Sequence, residues 1–193
     1  MAGKPKREAM KRVQSTKHLA WLDLEMTGLD PAENVIVQAA LIVTNDRLEP
    51  LEELTLDVWQ PESALARMTP FVRDMHEKTG LLARVRASRV DVRDAERGLL
   101  ERIAGWCTFP AMLCGNSIGN DRRFVDRHMP GLAGYLHYRM IDVSALKVLA
   151  ALWYGEAAVF QKPDAGKYDA LNDVRMSIAE LAHYRATLLR PPG

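Results

Sequence analysis

The chain predicts an α/β domain, a mixed β-sheet flanked by α-helices, on three observations. Three strand-like segments follow one another near the start, helical and strand-like segments alternate after them, and the last long segment is an amphipathic helix. The 193 residues suit one such domain. Hydrophobic residues at 48% and charged residues at 26% supply a full core, which excludes global disorder and a fold held mainly by disulfides.

Residues 18–26 are largely apolar and end in Thr27, Gly28, Leu29, Asp30 and Pro31, which predicts a buried strand running into a loop. Residues 34–44 and 51–59 have strand composition, with a hairpin connection near Asp46 and Arg47. Residues 61–79 read as irregular with short helical pieces. Over 91–107, Val92, Ala95, Leu99, Ile103 and Trp106 recur at helical spacing, so this segment is an amphipathic helix. There follow a short buried strand at 111–114, a helix at 120–128 stopped by Pro130, a short strand at 139–141 and a helix at 143–153. The last helix, 170–189, carries Leu171, Val174, Ile178, Leu181 and Tyr184 on one stripe.

Lys and Arg number 26 against 25 Asp and Glu, which excludes a strongly basic nucleic-acid coat protein. The charge is unevenly spread: residues 1–17 are net +5 and residues 18–193 net −4. A basic, disordered tail over 1–17 ahead of a mildly acidic domain over 18–189 is expected. No run reaches the ~18 apolar residues of a membrane helix, and no secretory apolar core opens the chain, so a cytoplasmic protein without a membrane partner is expected. Cys107 and Cys114 stand seven positions apart with no CxxC or Cys/His set, as free, partly buried thiols in a reducing cytosol would.

The informative segment is Asp23-Leu24-Glu25. Residues two apart on a strand share a face, so both carboxylates point one way while Leu24 points into the core. Two adjacent like charges raise one another's pKa unless something positive lies between them, and a divalent cation answers that need. An exposed acidic pair at a strand end fits the bare motif as well. Asp121 opens a helix and Asp173 lies near the start of the last one; alone, the first fits a favourable charge at a helix N-terminus and the second a surface acid.

Four blocks change that weighing: WLDLEMTGLDP (21–31), CGNSIGNDRRF (114–124), HYRMIDVSALK (137–147) and LNDVRMSIAELAHYR (171–185). In order and spacing they resemble the oligoribonucleases, over nearly the whole chain beyond the tail. The resemblance implies an RNase H-like DEDD exonuclease fold across 18–189, a homodimer, and removal of 3′-terminal nucleotides from RNAs a few residues long. Dinucleotides, pGpG among them, are the preferred substrates that it implies. By position the family's metal-binding acids fall on Asp23, Glu25, Asp121 and Asp173. Two divalent ions about 3.5 to 4 Å apart bridge a scissile phosphate in such sites, and hard oxygen ligands favour Mg²⁺ or Mn²⁺.

The chain departs from that pattern at one catalytic position. In the family's histidine branch a His five positions before the last Asp helps activate the attacking water, and Tyr168 stands there. A phenol, with a pKa near ~10, stays protonated at neutral pH and is a poor base, although it can orient water by hydrogen bonding. The tyrosine branch usually places its Tyr four positions before the Asp, so this chain keeps one branch's spacing with the other's residue. Weakened metal-dependent activity is the resulting expectation. Gln38, Asn172 and Phe71 replace the family's common Glu, Asp and Trp.

The resemblance also implies a substrate cradle. Leu29 wedges against one base, Phe71 stacks on another, and His76 and Ser117 approach the substrate. Tyr138, Arg139 and Ser144 match the family's cap on the 5′ phosphate, with Tyr138 and Arg139 supplied by the second subunit. A closed cap selects short RNA sterically, and an Arg fork suits a phosphate. Two readings compete: a DEDD exonuclease trimming longer RNA or DNA 3′ ends, and a catalytically silent paralogue that binds short nucleotides.

Overall fold

The computed structural model of the protein describes residues 12–163 and 169–189. Strands β1 (Leu19–Met26), β2 (Ile36–Thr44) and β3 (Pro50–Asp57) form an antiparallel meander. Strands β4 (Ala111–Gly115) and β5 (Leu136–Asp142) add to the β1 side in parallel, giving the order β3-β2-β1-β4-β5. The mixed sheet and its flanking helices are those expected.

Alternation along β1 divides the core. Ala20, Leu22 and Leu24 face helices α4 (Val92–Trp106) and α5 (Gly119–His128), where Leu99, Ile103, Phe124 and Val125 are buried with them. Trp21 faces the other way, toward α7 (Val143–Tyr154) and α8 (Ala170–Thr187), and packs in one cluster with Ala40, Ile42, Val143, Val174 and Tyr184. Its indole N–H donates to Thr44 Oγ1 at 3.0 Å, so the ring is buried without an unpaired donor. All nine residues of β2 are buried, which explains its nearly unbroken apolar sequence.

Local chemistry sets the ends that frame the site. Asp91 accepts from the amides of Arg93 and Asp94 to start α4, and Asp169 accepts from Asn172 N at 3.0 Å to start α8. Gly115 closes β4 where a Cβ would come within 2.9 Å of the Leu22 carbonyl oxygen, so only glycine lets β4 end so close to β1.

Four expectations are corrected. Pro130 does not only stop α5: it opens another helix, α6 (Pro130–Tyr135), because a missing N–H costs nothing in a first helical turn. The short helical pieces expected over 61–79 are α1 (Glu62–Leu65) and α2 (Pro70–Lys78), but α3 (Leu81–Ala87) follows, unanticipated, burying Leu81, Leu82 and Val85. The tail does not extend to residue 17. Ser15 bridges Cys107 in parallel and Arg12 pairs with Glu52 at 3.0 Å, so 12–17 lie against α4 and β3; residues 1–11 fall outside the described residues. Cys107 and Cys114 are free and fully buried rather than partly so, and burial pushes the Cys107 thiol up to about 12.

Candidate active site

The carboxylates gather at the C-terminal ends of β1 and β4. Asp23 and Glu25 share the β1 face that meets α8, and α8 presents Asp173 from its first turn. One carboxylate oxygen from each of Asp23, Glu25 and Asp173 lies within 4.8 Å of the others, close enough to ligate a common cation. Asp121, 6% exposed on the first turn of α5, sits on the opposite flank of β1, and its Oδ1 accepts from the Leu24 amide at 2.9 Å. Three of the four expected acids therefore converge tightly, and the fourth is fastened to the backbone between the first two.

The electrostatics record the crowding. Burial first, then Asp121, Glu25 and Asp173, raise Asp23 well above the usual carboxylate range, with Lys162 pulling the other way. Burial, then Asp173, Asp121 and Asp169, raise Glu25 to about 7. Burial raises Asp121 to about 7 against the lowering effect of the Leu24 amide. Acids held this way have either protons or cations between them at neutral pH.

His76 is fully buried on α2, next to this cluster. The Met26 carbonyl, 3.0 Å from Nε2, can only accept, so Nε2 carries the proton. Nδ1 then presents a lone pair, is without a hydrogen-bond partner among the described residues, and lies 3.9 Å from Glu25 Oε2. Burial lowers the pKa of this imidazole, which makes the contact a poised acceptor rather than an ion pair. Leu29 and Phe71, 70% and 71% exposed, project from the β1–β2 loop and the first turn of α2.

A second polar group lies at the ends of β4 and β5. Ser117 takes a left-handed backbone conformation, φ +50°, and its amide donates to Asp142 Oδ1 and Ser144 Oγ, each at 2.9 Å. The Ser117 and Ser144 hydroxyls meet at 3.1 Å over the N-terminus of α7. Tyr138 and Arg139 stand apart from them on the exposed edge strand β5, packed on each other with the guanidinium 5.3 Å from the ring centroid. Tyr168 lies outside the described residues.

Comparison with known proteins places this arrangement. The Exonuclease family model matches residues 20–181. Oligoribonucleases from an Azoarcus species and from Pseudomonas aeruginosa are 44% and 46% identical to the chain, covering 92% and 90% of it and 98% and 97% of those proteins. The chain belongs to the oligoribonuclease family. Solved structures agree at the level of fold. Exonuclease I from Methylocaldum szegediense covers 89% of the chain at TM-score 0.63 and 22% identity, and E. coli exonuclease I in complex with a 5cy-dT13 oligonucleotide covers 90% at TM-score 0.65 and 17% identity. The chain spans only 41% and 42% of those two structures.

Within the oligoribonuclease framework, several polar residues to which the sequence assigned no contact brace the elements that carry the acids. Gln38 pairs across the sheet with both Glu25 and Asp57 and donates to Asp57 Oδ1 at 2.6 Å; Asp57 Oδ2 in turn accepts from Arg84 Nε at 3.1 Å. Asn116 and Glu180 were inside quoted blocks but unassigned. A glutamate three residues after Ser177 on a buried helical face was the available signal for Glu180.

Proposed function

We propose that this protein is a 3′-to-5′ exoribonuclease that hydrolyses short oligoribonucleotides, dinucleotides above all, to 5′-mononucleotides. The observation that carries the reading is the convergence of Asp23, Glu25 and Asp173, 150 positions apart in sequence, in a chain more than two-fifths identical to oligoribonucleases along nearly its full length. The donor set fits divalent cations: hard oxygens, close together, with carboxyls raised by mutual repulsion. Asp23, Glu25, Asp121 and Asp173 would hold two such ions, Mg²⁺ or Mn²⁺. When bound, the ions lower the pKa of a water nucleophile and stabilise the departing 3′ oxygen.

The remaining residues bind and orient. Leu29 and Phe71 offer apolar and aromatic surface to two bases, and stacking tolerates any base. His76, buried beside Glu25 with its pKa lowered, offers Nδ1 as a hydrogen-bond acceptor rather than as a base. Ser117 and Ser144 receive the 5′ phosphate at the N-terminus of α7, a 12-residue helix whose dipole favours an anion. Tyr168 orients the attacking water.

The acting unit is a homodimer. On α7, Leu152, Trp153 and Tyr154 are 72%, 68% and 59% exposed, with Val148 one turn earlier, beside the open edge of β5. A second copy covering this face would bring its Tyr138 and Arg139 toward the 5′ phosphate and wall off longer RNA. The cytoplasm is the place of action, in keeping with two free buried thiols; among the described residues no helix is long and apolar enough to cross a membrane.

A timed digest of labelled dinucleotide with and without Mn²⁺, beside a twenty-nucleotide RNA, tests the reading. Mononucleotide release from the short substrate, dependent on metal, is expected. Equal or faster trimming of the long RNA would replace it with a general exonuclease, and binding of pGpG without turnover under Mn²⁺ would leave the silent paralogue that Tyr168 suggests.

A further inference from the structure

Behind the carboxylate cluster lies a polar assembly that the hydrolysis does not use. Glu180 is fully buried where α8 meets the sheet. Its Oε1 accepts from the Tyr184 hydroxyl and its Oε2 from Asn116 Nδ2, each at 3.0 Å, and Lys162 Nζ lies 3.5 Å from Oε2. A buried carboxylate persists only with such donors. Asn116 Nδ2 donates also to Ser177 Oγ at 2.9 Å, and Ser177 Oγ donates to the carbonyl of Asp173 at 2.9 Å. On its other side, Asn116 Oδ1 accepts from Ser144 Oγ at 3.2 Å.

The chain of bonds is directional. A carboxylate only accepts, so Glu180 fixes the Asn116 amide with Nδ2 toward α8 and Oδ1 toward Ser144. Toward the C-terminal ends of α7 and α8 an apolar, partly open pocket of about 140 Å³ is lined by Leu146, Leu149, Tyr184 and Leu188 among others, so the contact there is apolar and non-directional. Near the site the spacing is set by the amide.

We infer that Asn116, oriented by buried Glu180, is a positioning residue that fixes the distance between the Ser117–Ser144 pocket and the start of α8, and thereby the length of RNA the site accepts. The inference rests on the proposed function and assigns its length selection to a bond chain inside one subunit. A dinucleotide bridges the pocket and the acids only if that distance is held; with the link cut, the two ends drift and a 5′ phosphate no longer registers the scissile bond.

The test measures hydrolysis by the native chain, Asn116→Ala and Ser177→Ala on three substrates: a 5′-phosphorylated dinucleotide, the same dinucleotide without that phosphate, and a five-nucleotide RNA. In Asn116→Ala the preference for the phosphorylated dinucleotide over each of the others falls roughly tenfold, through a raised KM, as loss of a charge-assisted bond requires. On the unphosphorylated dinucleotide kcat stays within about threefold of native. Ser177→Ala shifts the same ratios in the same direction and carries the test should Asn116→Ala not fold. Unchanged ratios, or a proportional fall on all three substrates, overturn the inference while leaving the proposed function standing. A native chain that hydrolyses no dinucleotide removes both.

Discussion

The Leu24 amide donates to Asp121 Oδ1 at 2.9 Å, tying the first turn of α5 to β1 at the residue between Asp23 and Glu25. One carboxylate thus has a structural and an electrostatic role at once, and substitution can separate them. Asn at 121 keeps an oxygen for the amide and loses the charge. Asp121→Asn is expected to fold with metal-free stability equal to or above native, because a like charge beside Asp23 and Glu25 is gone. Dinucleotide hydrolysis should fall roughly a hundredfold or more. Thermal unfolding beside a rate assay checks it; a variant that unfolds early would show the bond to Leu24 needs the charge.

The raised acids give stability a definite pH slope. Glu25 and Asp121 stand near 7 in the folded chain and near ~4 when unfolded, so between those values the native state holds more protons. Their contribution is full below the unfolded pKa and is lost as pH rises through about 7. Metal-free protein should therefore unfold at lower temperature at pH 8 than at pH 5.5, by on the order of a few kcal/mol in stability. Saturating Mn²⁺ should shrink or reverse the difference, and Mn²⁺ affinity measured by calorimetry should rise across the same interval as protons leave. A metal-free melting temperature indifferent to pH would contradict this electrostatic description.

At position 168, Tyr168→His is expected to raise dinucleotide turnover by at least tenfold at pH 7.5, since an imidazole accepts a proton there and a phenol does not. Tyr168→Phe should lower it by removing the hydroxyl that orients water. Equal rates for the native chain and both variants would deny the position any part in the reaction.

The exposed apolar face of α7 predicts association. Leu152→Asp is expected to convert a dimer into a monomer in analytical ultracentrifugation, with the fold intact because Leu152 is 72% exposed. Arg139→Ala should leave the dimer in place and weaken binding of 5′-phosphorylated dinucleotide by roughly tenfold. If Arg139→Ala changes neither affinity nor length preference, the cap across the two subunits is wrong.

Much of this was legible in the chain. The alternation around Asp23 and Glu25 announced a strand with both acids on one face, and the composition of 34–44 announced β2 as a strand. Edge strand β5 was read too short because Tyr138 and Arg139 face outward and give no apolar period. Helix α3 was missed because its seven residues are too few to establish one against Arg84 and Arg86. Polar residues whose partners lie far off in sequence were least legible: nothing near Asn116 points to Glu180, 64 positions later, until the helix that carries it has docked.

Because Asp173 rides on α8 and Asp23 on β1, the proposed cation-binding set stays open until both elements have been made and have docked. A nascent chain whose α8 is still in the ribosome has Asp23 and Glu25 side by side without the third carboxylate that converges on them.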